Sequence, residues 1–116
     1  MKRLRTLTGH VFQYKEYPDK ELIIYLPDEN GNLQEKSAIV ITLFTQNLVK
    51  QAITSNREIL MGASRDDPPK NSLGFLIREE KQSPQQLSYL IPILIEEGFC
   101  NFEKRGKAFI IIYKEK

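Results

Sequence analysis

The side chains best equipped for chemistry sit at the front of one stretch, SPQQLSYLIPILIEEGF, from Ser83 to Phe99. Gln85, Gln86, Ser88 and Tyr89 bring two amides and two hydroxyls into two helical turns. A glutamine amide can present a donor and an acceptor together to an adenine edge, and hydroxyls bond to base edges or phosphates. The plainer reading is that Gln86 completes a capping box and the others are solvated helix surface. A second cluster, Lys104, Arg105 and Lys107 around Gly106, is a compact set of cations suited to phosphate oxygens, or simply a solvated turn. Arg65, Asp66 and Asp67 invite a metal or catalytic reading. Adjacent carboxylates point apart, however, and no third carboxylate or histidine stands near them in sequence, so turn formation or salt bridging suits them better. His10 is the only histidine, and Cys100 reads as a small buried hydrophobe. Without a Ser/His/Asp set, a Cys/His zinc cluster or a Gly-rich phosphate loop, the expectation is no enzyme, no metal and no cofactor.

A chain of 116 residues, 41% hydrophobic and 28% charged, has the size and composition of one globular domain. Its net charge of +2 neither demands nor excludes a nucleic-acid partner, because what counts is whether the cations share a face. A single cysteine allows no internal disulfide, which fits a reducing compartment. The segment MKRLRTLTGH has basic residues without the apolar run of a signal peptide, and no stretch approaches the ~20 residues of a membrane span. A cytoplasmic protein with no membrane partner is expected.

The elements that must position these residues fall into two textures. Residues 1–42 form a β-rich subregion. HVFQYKEY, ELIIYLP and SAIVIT are rich in β-branched and aromatic residues, with turns at Tyr17-Pro18-Asp19 and around Asn30-Gly31, which predicts a three-stranded antiparallel meander. From residue 43 the periodicity becomes helical. Leu48, Val49, Ala52, Ile53, Ile59 and Leu60 form an apolar stripe with Gln46, Lys50, Gln51 and Arg57 between them, as one helix or as two with a capping box at Ser55 and Glu58. SRDDPPKNS, Ser64 to Ser72, predicts a loop. Asn71 or Ser72 then caps a short helix, LGFLIREE, with Leu73, Leu76 and Ile77 inward.

Ser83, with Gln86 three residues on and Pro84 at the first helical position, is a strong helix start. Leu87, Leu90, Ile91 and Leu94 continue it as a buried stripe, and Gly98 is placed to end it. Pro92 interrupts this helix and removes one backbone hydrogen bond, a cost of about 3 kcal/mol in isolation. Burial of the stripe returns roughly 1.5–3 kcal/mol per side chain, so a buried helix tolerates the proline. Two strands follow, Phe99 to Glu103 and Ala108 to Tyr113, joined by Lys104-Arg105-Gly106-Lys107. Ile93 and Ile95 make the helix apolar nearly all round, which requires cover either from the N-terminal strands or from a second subunit.

The run SLGFLIREEKQSPQQLSYLIPILIEEGFCNFEKRGKAFIIIY, in which a capped helix and its apolar stripe lead through EEGF into a basic-tipped hairpin, resembles the winged helix-turn-helix family. The resemblance covers roughly Leu43 to Tyr113. It implies a C-terminal winged helix-turn-helix over 43–116, and together with the N-terminal strands, which lie mostly outside the resemblance, the expectation is a single α+β domain with an antiparallel meander packed on it. It further implies that the helix over 83–97 enters the major groove of double-stranded DNA and that the 104–107 wing meets phosphates, with Lys70, Arg78 and Lys81 flanking. Ser83, Gln85, Gln86, Ser88, Tyr89, Lys104, Arg105 and Lys107 are then the DNA contacts of a small non-catalytic regulator. Winged-helix proteins often pair, so a homodimer is a further expectation. The alternative is a protein-interaction module of a larger assembly, with Tyr89, Ile93 and the meander as its contact surface. A nuclease component using Asp66 and Asp67 would require a divalent metal at that loop.

Overall fold

The structure, a computed structural model, describes residues 1–27, 30–32, 38–63 and 67–115. Four antiparallel strands come first: β1 (Lys2–Arg5), β2 (Val11–Glu16), β3 (Leu22–Tyr25) and β4 (Ile39–Ile41), paired in chain order. The N-terminal sheet therefore has one strand more than the expected meander. KRLR lacks the usual apolar alternation because β1 is an edge strand with only Leu4 partly buried. Its register, Leu4 opposite Phe12 and Arg3 opposite Gln13, continues the side-chain alternation of β2 (Val11–Glu16). Phe12, Tyr14, Leu22, Ile24 and Ile41 lie on the inner face and are buried.

Helix α1 (Leu43–Asn56) is capped by Thr42, whose Oγ1 accepts from the Thr45 N–H at 3.2 Å. It ends at Arg57, which has a left-handed φ of 65°, and β5 (Glu58–Leu60) follows. Ile59 and Leu60 thus belong to a strand rather than to the helix, and Ser55 and Glu58 form no capping box. The apolar spacing carries straight across a break made by a residue with no Gly or Pro signature. Gln46 is another correction: it is buried, and its Nε2 donates to the carbonyls of Lys20 (2.7 Å) and Ile41 (3.1 Å). An amide placed among polar neighbours in sequence thereby ties α1 to the N-terminal sheet.

Helix α2 (Leu73–Glu79) begins at Ser72, whose Oγ accepts from the Phe75 N–H at 3.1 Å. A 3-10 turn, Pro84–Gln86, leads into α3 (Leu87–Glu96), and β6 (Cys100–Arg105) and β7 (Ala108–Tyr113) complete the chain. Gly98, with φ 79°, closes α3: its N–H reaches Ile95 O, and that of Phe99 reaches Leu94 O at 2.9 Å. This is the Schellman arrangement, which favours glycine because of the left-handed φ. The helix runs through Pro92, which is buried. The last three strands form a second antiparallel sheet in the order β5-β7-β6.

One hydrophobic core spans both sheets, from Phe12 and Ile24 to Cys100 and Ile111, with Leu87, Leu90, Ile91, Ile93 and Leu94 of α3 at its centre. Ile93 is covered within the single chain. α3 contacts both β1 and β6, so of the two covers its all-round apolarity called for, the N-terminal strands are the one present. Among the described residues, no helix is long and apolar enough to cross a membrane.

Candidate functional site

The site candidates lie at the front of α3 and at the tip of the β6-β7 hairpin. Ser83 caps the 3-10 turn, its Oγ accepting from the Gln85 N–H at 3.4 Å. Ser83 and Gln85 are exposed and Ser88 is half-buried. These three share the solvent side of the helix entry because the alternate positions, Pro84 and Leu87, are buried.

Gln86 and Tyr89 point elsewhere. The Gln86 amide does not reach back to the Ser83 backbone as a capping box would require. Its Nε2 lies 3.3 Å from Gln82 Oε1, and its own Oε1 is buried with no hydrogen-bond partner among the described residues. Tyr89 packs edge-on against Phe12 of the N-terminal sheet, with ring centroids 5.3 Å apart. Burial pushes its phenol pKa up. The direction of Tyr89 is set by packing against Phe12, far away in sequence, whereas that of Gln86 is set by Gln82, one helical turn back. Pro92, one turn beyond Ser88, is buried as well. At the front of the helix only its first turn is therefore open to a partner, and at the far end the exposed residues are the carboxylates Glu96 and Glu97.

The hairpin divides its cations between two faces. Arg105 pairs with Ala108, so the turn is the two residues Gly106-Lys107 and the strands run further out than expected. Gly106 takes φ 63° at the first turn position, a conformation natural to glycine. Side chains alternate along β6. Lys104 falls on the face shared with Phe102, Phe109 and Ile111, its Nζ 6.0 Å from the centre of the Phe109 ring. Phe102 on that face is 43% exposed and packs edge-on against Phe109 at 5.8 Å.

Arg105 falls on the opposite face, where Nη2 lies 3.0 Å from Glu103 Oε2 and 3.4 Å from Glu58 Oε2. The hydrogen bond and charge of Glu103, then Glu58, hold its guanidinium pKa above the ordinary value. Lys107 is exposed at the tip. Of the expected wing contacts, Lys104 and Lys107 are exposed without a carboxylate within ion-pair distance among the described residues, whereas Arg105 is engaged by two.

No family model, curated protein or solved structure matches this chain. The reading therefore rests on its own geometry.

The remaining candidates are separate from this surface. Arg65 and Asp66 lie outside the described residues, and Asp67 is exposed. Among the described residues, no group of three His, Cys, Asp or Glu could hold a metal ion. His10 is exposed in the β1-β2 turn, where its backbone N–H donates to Thr6 Oγ1 at 3.0 Å. Cys100 is fully buried at the head of β6, and burial pushes its thiol pKa up to about 12. That leaves it protonated and inert near neutrality.

Proposed function

We propose that this is a non-catalytic, double-stranded DNA-binding protein of winged helix-turn-helix architecture, a small regulator. What carries the reading is the chain order α1, β5, α2, α3, β6, β7 with strands arranged β5-β7-β6. It has a short turn between α2 and α3 and a cation-tipped hairpin beyond. Ser83, Gln85 and Ser88 meet the groove with the first turn of the helix, end-on rather than lengthwise. Lys104 and Lys107 meet phosphates.

The test is fluorescence anisotropy with a labelled mixed-sequence duplex at two salt concentrations. Lys104→Ala/Lys107→Ala should flatten the salt slope by roughly one unit per lost phosphate contact, and Gln85→Ala/Ser88→Ala should leave that slope intact while reducing discrimination between sequences. An absence of binding at low salt, where non-specific affinity is strongest, would sink the DNA reading.

The second reading, a winged helix used for protein contact, has its own observation. Val40, Leu43 and Phe44 are 45%, 41% and 58% exposed at the corner where β4 meets α1. A concentration-dependent change in sedimentation that Phe44→Ser abolishes would favour this reading, with a second copy as the first partner to test.

A further inference from the structure

The outer face of the N-terminal sheet is a second candidate surface, independent of the wing. Strand alternation turns Phe12, Tyr14 and Ile24 toward α3, so Arg3, Arg5, Val11, Gln13, Lys15, Ile23, Tyr25 and Val40 face away from it. Cross-strand neighbours on that face are Arg5 with Val11, Arg3 with Gln13 and Tyr25, and Lys15 with Ile23 and Val40. Every charged strand residue among them is a cation. The first carboxylate of the same alternation is Glu21, past the end of β3 beside the Lys15 end.

Arg3, Arg5 and Lys15 are exposed and make no ion pair with a described residue. Arg5 Nη1 donates to Gly9 O at 3.1 Å, and Lys15 Nζ stands 5.7 Å from the Tyr17 ring centre. A hollow of about 280 Å³ opens beside Arg3, lined also by Val11, Phe12, Gln13, Pro27 and Gly31. That is just below the range of drug-sized ligand sites and of the right order for one base.

We propose that this face binds a single-stranded nucleic-acid segment. Phosphates lie along Arg3, Arg5 and Lys15, and one unstacked base sits in the hollow against Val11 with its edge on the Gln13 amide. The charge pattern selects a polyanion. A hollow of mixed lining, with Val11 and Pro27 beside the Arg3 cation and the Gln13 amide, favours a strand with bases splayed out over a closed duplex, whose bases are stacked and paired. An acidic peptide would satisfy the cations and leave the hollow empty.

The test uses the whole chain and labelled 12-nucleotide oligo(dT) and oligo(U), with a mixed-sequence duplex and polyglutamate as comparators. Arg3→Ala/Arg5→Ala/Lys15→Ala should weaken single-strand binding at least about tenfold at low salt and flatten its salt slope by about 2 units, at roughly 0.7 per phosphate lost. Gln13→Ala, with all three cations kept, should weaken binding while leaving the slope unchanged. Lys104→Ala/Lys107→Ala should weaken single-strand binding far less than the triple variant does while flattening the duplex slope, so failure of this surface and failure of the wing are read separately. Unfolding curves matching wild type show that the exposed substitutions leave the fold intact. Undiminished single-strand binding by the triple variant, equal competition by polyglutamate, or equal loss on duplex and single strand would each overturn the proposal.

Discussion

Strand positions of the N-terminal sheet turned away from α3 hold Arg3, Arg5 and Lys15, while the corresponding face of the C-terminal sheet holds Glu58, Glu103 and Arg105 locked together. Both sheets are antiparallel, and both lay their other face on the same helix. The inner faces are interchangeable in kind, Phe12 and Ile24 on one side, Ile111 and Cys100 on the other, all buried in one cluster. What separates the sheets is the sign pattern outside. Mixed charges neutralise one another at short range on the back of the hairpin. Like charges on the N-terminal sheet remain available to an anion. A count of Lys and Arg by segment would rank the two as equals, three each in KRLR and KRGK, and only the ion pairs to Glu58 and Glu103 show that one of the wing's three cations is already occupied.

If the inner faces are equivalent, damage to either should cost about the same. Phe12→Ala removes a fully buried ring in contact with Tyr14 and Tyr89, an expected loss of about 3–5 kcal/mol, and Ile111→Ala an expected loss of about 2–5 kcal/mol. Urea unfolding followed by circular dichroism should show one transition in each variant, moved to lower denaturant as a whole. A Phe12→Ala variant that loses only a minor early transition would break the comparison, because the N-terminal sheet would then be an appendage rather than half of the core. The Gln46 bonds to Lys20 O and Ile41 O argue for the single transition.

Much of this architecture was readable because local rules and tertiary packing agree. Ser72, Ser83 and Gly98 act at the helix ends as their residue types predict, and the Leu87, Leu90, Ile91 and Leu94 stripe is buried. What was not readable depended either on partners far away in sequence or on local turns without a compositional mark. β1 is basic because it is an edge, and β5 sits behind Arg57, whose left-handed turn has no compositional warning. Tyr89 and Gln86 occupy apt positions for a groove, yet their directions are decided by Phe12 and Gln82. A two-residue turn in place of four fixed the alternation that sends Arg105 to the back. Gly74 gave a weak signal, a glycine inside a helical pattern. A Cβ there would lie 1.7 Å from Gly62 O, so α2 and the segment just past β5 meet backbone to backbone.

Alkaline titration sharpens the comparison next, since each sheet buries a weak acid. Burial raises the Cys100 thiol pKa to about 12. Burial, then Glu97, Glu96 and Glu16, raise that of the Tyr14 phenol. An unfolded thiol ionises near ~8.5, so above that pH the unfolded chain sheds a proton that the folded chain keeps. Stability therefore falls as pH rises, at a slope approaching ~1.4 kcal/mol per pH unit for the thiol. Tyr14 adds its share above ~10. Wild type should lose about 2 kcal/mol between pH 8.5 and 10 by urea midpoint. Cys100→Ala should start lower and lose much less over that interval. An equal loss would mean the C-terminal sheet's buried thiol is not the titrating group.

The smallest effect tests the difference between the outer faces directly. Glu58→Gln/Glu103→Gln removes both carboxylates that hold Arg105 without touching Lys104 or Lys107. Any two-carboxylate neutralisation makes the chain more positive, so Glu79→Gln/Glu80→Gln, on exposed positions at the end of α2, is the matched control for net charge. On the proposed DNA reading, the released guanidinium reaches a phosphate, and the duplex salt slope steepens by about one unit relative to the control. Single-strand binding at the N-terminal sheet, where Arg3, Arg5 and Lys15 make no ion pair with a described residue, should respond alike to both variants. Equal duplex slopes in the two variants would mean that the back of the hairpin never approaches the duplex, leaving Lys104 and Lys107 as the wing's whole contact. In that case the ion pairs serve to fasten β5 to the hairpin, and the N-terminal sheet is the more strongly charged of the two binding faces.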